Sequence, residues 1–160
     1  MGRNHTYWDS EFENDYYDNS DFGEYQKNLV FVAMPFTEAM LEIYYTIKEE
    51  VRKLGLNAIR VDESVGSGLI LKKIMKGIEN AEFLIFDLSE EKPNVYYELG
   101  YAHGAGNESE EILLIAKKGT KLHFDIAPLS VIFYDSVEDL KSKIYLNLSK
   151  MLKICREKEE

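Results

Sequence analysis

The chain contains few of the residues that build disulfide frameworks or metal centres. Its 160 residues include one cysteine, Cys155, and three histidines, with no cluster of the two at zinc-binding spacing. No apolar run approaches the roughly 18 residues that cross a bilayer, and the longest extends from Leu29 to Phe36. The N-terminus is acidic and polar, so we expect no secretory signal. We therefore expect a protein of the reduced cytoplasm.

Positive charge is also scarce. Nineteen lysines and arginines stand against 29 aspartates and glutamates, which gives a formal net charge of −10. Such a chain repels the backbones of DNA and RNA, and no basic stripe offsets that repulsion. We therefore expect no nucleic-acid polymer as a partner. A single nucleotide is still compatible, because a few backbone amides and one arginine can hold one phosphate.

Residues 1–28 differ from the rest of the chain in composition. They carry seven acidic side chains against two basic ones, which is half of the net charge, and seven aromatic side chains are interleaved with the acids. An acidic segment without aromatics is typical of a disordered tail. Acids with aromatics favour an arm that docks on its own domain or on a neighbour. We predict such an arm over residues 1–28 and one α/β domain over residues 29–160.

From residue 29 onward, short apolar runs alternate with amphipathic segments. The runs predict five strands, at about 29–34, 57–61, 82–87, 112–116 and 131–134. The amphipathic segments predict four helices: at about 37–53, after Gly68 with Ile70, Ile74 and Ile78 in register, at about 94–104, and from 136 onward. The last helix begins with Ser136-Val-Glu-Asp139, which has the spacing of a capping box. This alternation predicts a flavodoxin-like three-layer sandwich with a five-stranded parallel sheet in the order 2-1-3-4-5.

In open parallel sheets, ligands bind beyond the carboxyl ends of the strands, where the strand order reverses. For the predicted order, that point lies between the first and third strands. Arg60 lies at the end of the neighbouring second strand, where it can pair with a phosphate or with nearby acids such as Asp62. The residues at these strand ends that we expect to contact a substrate are Met34, Pro35, Phe36, Arg60, Asp62, Ser89, Asn94 and Tyr97.

Asp87 and Glu98 are the candidate catalytic pair. Asp87 closes a buried strand, where a carboxylate is costly unless it is hydrogen-bonded or reactive, and a loop cap that accepts from Ser89 would suffice to explain it. Glu98 is expected in about the first turn of its helix, where the dipole stabilises negative charge. Two carboxylates beside one crevice are also the minimum set for cleaving a glycosidic bond, as nucleophile and as proton donor or orienting group.

Other polar and glycine positions carry weaker signals. Gly100 and Gly104 share a helix face, and we expect them to allow close packing on the sheet. The glycines of residues 66–68 match no Walker or dinucleotide fingerprint, so a flexible loop is expected there. His103 is predicted to point away from the face of Glu98.

The order of these segments resembles the nucleoside 2-deoxyribosyltransferase-like proteins, including the bacterial TIR-like nucleotide-binding branch. The segment Asn-Val-Tyr-Tyr-Glu-Leu-Gly at 94–100 is the most specific part of this resemblance. The other matching segments are residues 30–36, 57–62, 81–89 and 123–126, together with the flanks of the first segment from 93 to 103.

The resemblance implies a role for each candidate. Glu98 would be the nucleophile that attacks the anomeric carbon, and Asp87 would contact the sugar or base. Met34, Pro35 and Phe36 would line the base pocket. It also implies a flavodoxin-like fold, no metal or redox cofactor, and a homo-oligomer in which a neighbouring subunit often completes the site.

Two departures from that family narrow the expected function. Lys92 stands where the transferases carry a second aspartate, and His123 replaces the proline of a Pro-Phe-Asp motif that here reads His123-Phe124-Asp125. The first change weakens base transfer and favours hydrolysis, including a TIR-like reaction on NAD. The alternatives are a nucleotide sensor that binds without cleaving and, more weakly, a phosphoacceptor receiver-like domain. A receiver-like domain clusters acids after its first strand, where this chain has Met34-Pro35-Phe36.

Overall fold

The structure of the protein, a computed structural model, describes residues 24–61 and 68–160, apart from the side chains of residues 68 and 69. Most of the predicted arm therefore lies outside the described residues. Within these described residues, the strands are β1 Gln26–Ala33, β2 Asn57–Ile59, β3 Ala81–Asp87, β4 Ile112–Lys117 and β5 Val131–Tyr134. The four α-helices are α1 Leu41–Lys53, α2 Gly68–Asn80, α3 Pro93–Gly104 and α4 Val137–Glu157.

All paired strands are parallel, and the sheet has the order β2-β1-β3-β4-β5. This confirms the predicted flavodoxin-like α/β fold. The central strands are buried on both faces, as parallel strands under two helical layers must be. β3 shows this most clearly, because every one of its residues is buried.

Alternate residues of the strands face opposite layers of helices. In β1, Val30 and Val32 pack into the buried cluster formed with α1 and α4. Phe31 and Ala33 pack into the second cluster, which is formed with α2 and α3. The sheet therefore separates two hydrophobic cores. Because successive side chains along a strand point to opposite faces, the position of a residue in the strand determines which of the two cores its side chain faces.

Several element boundaries differ from the sequence prediction. β1 begins at Gln26 because that residue pairs with Ala81, across a register irregularity at Asn28. β2 ends at Ile59, two residues before the predicted end, since its pairing with β1 stops there. A 3-10 turn, Glu38–Met40, precedes α1. α3 begins at its proline, a residue that suits the first helical position because it has no N–H to leave unpaired there.

Of the two hydrogen bonds in the predicted capping box at the start of α4, the one accepted by the N-cap side chain is present. The Ser136 side chain accepts a hydrogen bond of 3.1 Å from the backbone N–H of Asp139. The Asp139 carboxylate reaches back to the N–H of Asp135, one residue before the N-cap. The cap therefore stabilises the amino end of α4 beside the carboxyl end of β5.

A buried charged group ties the opposite edge of the sheet together. Glu82, which is 5% exposed at the start of β3, accepts hydrogen bonds from both terminal nitrogens of Arg156 on α4. It also accepts one of 2.6 Å from the backbone N–H of Asn28. Asn28 has a positive φ of 68°, so the carboxylate supports the irregular turn of β1 at this point.

Within the described part of the chain, no helix is both long and apolar enough to span a membrane.

Candidate active site

The strand order reverses between β1 and β3, and the loops that follow these two strands meet there. The Thr37 hydroxyl, after β1, donates a hydrogen bond of 3.0 Å to Glu90 Oε1, after β3. Lys92 Nζ lies 3.8 Å from the other carboxylate oxygen of Glu90. The hydrogen bond between Thr37 and Glu90 joins the two loops at the crevice in which an open α/β sheet binds ligands.

Glu98 is a buried carboxylate on the side of α3 that faces the sheet. It is 4% exposed and shares its helix stripe, at three- and four-residue spacing, with the buried Val95 and Ala102. The expectation that Glu98 lies in the first helical turn is wrong, because α3 begins at Pro93 and has no acid in its first turn. Stabilisation by the helix dipole falls off beyond that turn and therefore explains less of this position than expected.

Asp87 closes β3 and is completely buried. Its Oδ1 accepts hydrogen bonds from the Ser89 N–H, at 2.9 Å, and from the Ser89 hydroxyl, at 2.5 Å. Its Oδ2 accepts a bond of 2.8 Å from the Tyr134 hydroxyl. The predicted contact with Ser89 is thus present, and β5 contributes a donor that the sequence did not predict.

The surroundings of Asp87 shift two pKa values in the same direction. Burial raises the pKa of the Asp87 carboxyl, and the hydrogen bonds from Ser89 and Tyr134 offset only part of that effect. Burial, followed by the neighbouring charge of Asp87, also raises the pKa of the Tyr134 phenol. Tyr134 therefore keeps its proton at neutral pH and acts as a donor.

The two carboxylates approach the edge of the sheet from opposite faces. Asp87 follows Phe83 and Ile85 at two-residue spacing and, like them, faces the cluster of α1 and α4, which includes Tyr134. Glu98 belongs to α3, which packs on the other face through Val95. A substrate that contacts both acids must therefore lie across the carboxyl edge of the sheet. A short distance between the carboxylates, as in retaining glycosidases, stays a prediction.

Arg60 lies between two aromatic rings next to the predicted crevice. Its guanidinium carbon is 4.1 Å from the centre of the Phe36 ring and 4.2 Å from that of Tyr44. Phe36 is 39% exposed, whereas Tyr44 is buried on α1. Stacking between rings fixes the plane of a guanidinium group and is favourable in itself. One face of Phe36 is therefore covered by Arg60.

The remaining predicted contact residues differ in exposure. Met34 and Pro35 are buried, and Met34 is part of the core on the side of α1 and α4. Asn94 is half-buried near the start of α3, and Tyr97 is 56% exposed. Asp62 lies outside the described residues. For these positions, contact with a substrate stays a prediction.

The weaker candidates mostly stand apart from this site. A Cβ atom added at Gly100 or Gly104 would meet nothing within 4 Å, so the expected close packing on the sheet is wrong. His103 is exposed, as expected of a residue away from the sheet. His123 and Asp125 are exposed and 3.6 Å apart. Gly66 and Ser67 lie outside the described residues.

Tyr134 is the main site residue that the sequence analysis missed. It is 3% exposed, and its hydroxyl reaches Asp87 across the sheet. The available signal was its position: a tyrosine that closes a strand needs a partner for its hydroxyl when it is buried. The predicted strand order already placed β5 two strands from β3, but it did not give the register that brings the Tyr134 hydroxyl to Asp87.

Over residues 24–61 and 68–160, no group of three or more histidine, cysteine, aspartate or glutamate side chains could hold a metal ion.

Solved structures with the same fold belong to functionally diverse proteins. A variant of the flavo di-iron protein from Thermotoga maritima matches with a TM-score of 0.60 and 18% identity, over 89% of this chain and 40% of that one. The CMP N-glycosidase BcmB from Clostridium botulinum matches with a TM-score of 0.55 and 16% identity, over 74% and 98%. The TIR domain heterodimer of RPS4 and RRS1 matches with a TM-score of 0.52 and 16% identity, over 76% and 97%.

No protein-family model matches the chain, and no curated protein matches it. The chain spans 40% of the length of the flavo di-iron protein and nearly all of the N-glycosidase and TIR chains.

The connection after β1 does not fit the phosphate of a flavin. Cofactor phosphates in α/β folds bind to exposed backbone N–H groups in glycine-rich turns. Here the connection contains no glycine, and the buried Pro35 has no N–H to offer. At identities below one in five, the likeness to these structures shows a flavodoxin-like fold and nothing finer.

Proposed function

We propose that this protein cleaves the N-glycosidic bond of a nucleotide or nucleoside, with Glu98 as the nucleophile. The observation that carries the proposal is the burial of Glu98 on the sheet-facing stripe of α3. A carboxylate at the carboxyl edge of an open α/β sheet lies where substrates bind and can act as a nucleophile there. Asp87, the second buried acid at the same edge of the sheet, would orient the sugar or assist proton transfer.

The reaction would follow the two-step course of retaining glycosidases. In the first step, the Glu98 carboxylate forms a bond to C1′ while the C1′–N bond breaks, and the base leaves with the bonding electrons and takes up a proton. In the second step, water attacks C1′ and releases the Glu98 carboxylate, and the water gives up one proton. The products are the free base and the sugar or sugar phosphate.

Two further observations support a nucleotide as the substrate. BcmB, which shares the fold, is a CMP N-glycosidase. Arg60, held between Phe36 and Tyr44, offers a planar cation beside the crevice, and guanidinium groups suit the geometry of phosphate oxygens. NAD contains the same class of bond, between nicotinamide and ribose, and therefore belongs among the substrates to test. Self-association, which the family resemblance implies, stays a prediction.

The first prediction is that Glu98→Gln abolishes base release. The wild-type protein is incubated with ribonucleoside and deoxyribonucleoside monophosphates, the matching nucleosides and NAD, and the released base is measured by chromatography. We expect release from at least one substrate and a loss of at least about 10³-fold in Glu98→Gln, because an amide cannot replace the nucleophile. Glu49→Gln, at an exposed position of α1, is the matched control and keeps wild-type activity.

An active wild type whose turnover survives in Glu98→Gln would exclude this assignment. An inactive wild type on the whole panel would favour the second candidate function, a sensor that binds a nucleotide without cleaving it. The three hydrogen bonds that Asp87 accepts from protein donors are compatible with that alternative. A sensor is stabilised by its ligand in proportion to ln(1 + [L]/Kd) and forms no product.

A further inference from the structure

The hydrogen bonds around Asp87 fix the positions of the protons. The Ser89 oxygen accepts a bond of 2.8 Å from the backbone N–H of Lys117, so its own proton is directed to Asp87, 2.5 Å away. The Ser89 and Tyr134 oxygens are 3.3 Å apart, a longer contact than either makes with Asp87. Both hydroxyl protons therefore point at the carboxylate.

An ionised carboxylate accepts about four hydrogen bonds, two at each oxygen. Oδ1 of Asp87 already accepts two, both from Ser89, and Oδ2 accepts one, from Tyr134. Within the described residues, the one acceptor position left is on Oδ2. The Tyr134 hydroxyl occupies the neighbouring position on that oxygen and so determines the direction of the remaining one.

We propose that Tyr134 and Ser89 are positioning residues that hold Asp87 ionised, so that Asp87 accepts a hydrogen bond from a sugar hydroxyl of the substrate and does not protonate the leaving base. This inference rests on the proposed function and chooses between the two roles left open there for Asp87. The leaving base then takes its proton from solvent water, which leaves a hydroxide ion. The second water, which attacks C1′, loses one proton, and that proton neutralises the hydroxide.

Three donors to one carboxylate favour its charged form, in opposition to burial. Within the described part of the chain, the ionisable side chains that act on Asp87 include Tyr134 from β5 and Lys117 from β4. Tyr134→Phe removes one of the three donors and preserves the ring. The carboxylate is then less well stabilised, so the pKa of Asp87 rises further, and the protein must reach a higher pH before Asp87 can act as an acceptor.

The test combines a titration without substrate and a kinetic measurement. The first readout is the pKa of Asp87 in the full-length protein, from NMR of ¹³C-labelled aspartate, with the resonance assigned by its loss in Asp87→Asn. We expect a higher pKa in Tyr134→Phe and in Ser89→Ala than in the wild type. Tyr145→Phe, at a tyrosine of α4 that is 46% exposed, is the matched control and leaves the pKa of Asp87 unchanged.

The second readout is the pH dependence of base release. We expect kcat to fall about ten-fold in Tyr134→Phe, as for the loss of one charge-assisted hydrogen bond, and the acidic limb of the profile to move to higher pH. Raising the pH above the shifted pKa restores much of the lost rate. A defect of folding alone would not be restored in this way.

Two results would overturn the inference. An unchanged pKa of Asp87 in both variants shows that Tyr134 and Ser89 do not position its charge, and this holds whether or not the wild type cleaves any substrate. A rate that falls as Asp87 loses its proton, with an alkaline limb that follows its pKa, identifies Asp87 as the proton donor. If the wild type releases no base, the proposed function and the acceptor role fail together, while the titration still decides the positioning of Asp87.

Discussion

At the scale of single residues, the guanidinium group of Arg60 is oriented by two aromatic rings. The rings of Phe36 and Tyr44 hold its guanidinium plane at about 4 Å on each side. In a chain with a net charge of −10, an anionic substrate needs such a local cation to offset the overall field. Aromatic stacking retains the charge while it restricts the orientation of the side chain, which lowers the entropic cost of binding a phosphate.

We expect Arg60→Met to weaken the binding of substrates that carry a phosphate. The KM for a nucleoside monophosphate should rise about ten-fold or more, whereas the KM for the matching nucleoside should stay within about two-fold, since one charge-assisted contact is lost only in the first case. Steady-state kinetics with the two substrates measures the difference. Arg52→Met, on an exposed position of α1, serves as the control. An equal change for both substrates would assign Arg60 to folding.

The sequence pointed to Asp87 and Glu98 as candidate catalytic residues, but it did not predict that they approach the sheet from opposite faces. Asp87 stood out because an acid closes an apolar strand, and Glu98 because it was expected near the start of the next helix, beside the same crevice. The strand alternation that turns Asp87 toward Tyr134 and the packing of α3 on the opposite face depend on the assembled sheet. The short segment of residues 88–92 connects β3 to α3 and so sets the position of Glu98 relative to Asp87. This segment has no periodic pattern from which its structure could be predicted.

At the scale of elements, α4 secures the amino edge of the sheet through Arg156 and Glu82. Burial acts to raise the pKa of Glu82, but the Arg156 guanidinium and the Asn28 amide outweigh it and hold that pKa below its usual value of 4.5. The side chain of Arg156 is 30% exposed and that of Glu82 only 4%. Loss of the arginine therefore leaves a carboxylate that cannot reach water.

We expect Arg156→Met to lower the free energy of unfolding by roughly 2 kcal/mol at pH 7, less than for a fully buried pair because Arg156 is partly exposed. Urea denaturation measures this loss. Lys153→Met on the same helix, whose side chain is 77% exposed, should change stability by less than about 0.5 kcal/mol. Equal losses in the two variants would show that the pair with Glu82 contributes nothing specific.

The same pair predicts a pH dependence of stability. A carboxyl group whose pKa is lowered in the folded state stabilises the fold above its unfolded pKa, and this contribution is lost as the pH falls. For Glu82 the loss begins below about pH 4.5. The stability advantage of the wild type over Glu82→Gln should therefore narrow in that range and stay constant between pH 5 and pH 7. A constant difference down to pH 3 would contradict this assignment.

The elements themselves followed closely from the sequence, and the errors have physical causes. The predicted β5 at 131–134 is confirmed, because a short apolar run between turn residues has no competing interpretation. The start of β1 was predicted too late in the chain. Gln26 and Lys27 are polar residues at the end of the strand, and their strand structure depends on the pairing of Gln26 with Ala81. The glycines of α3 were assigned to packing, although both lie on the exposed side of the helix.

At the scale of the whole molecule, the alternation of strands and helices was enough to predict the fold. Right-handed crossovers and burial on both faces leave few arrangements for five parallel strands, and the observed order is the predicted one. The fold alone does not assign a function, because the structures that share it include a flavo di-iron protein, a CMP N-glycosidase and TIR domains. The function must therefore be tested at Glu98.

The most direct test is the capture of a covalent intermediate on the intact protein. A nucleotide with fluorine at C2′ slows both steps of a retaining reaction, because it destabilises the positive charge that develops at C1′. Mass spectrometry of the wild type should then show an added sugar phosphate, and peptide mapping should place it on Glu98, whereas Glu98→Gln should show no addition. Attachment at another residue, or base release by Glu98→Gln at the wild-type rate, would contradict the assignment of Glu98 as the nucleophile.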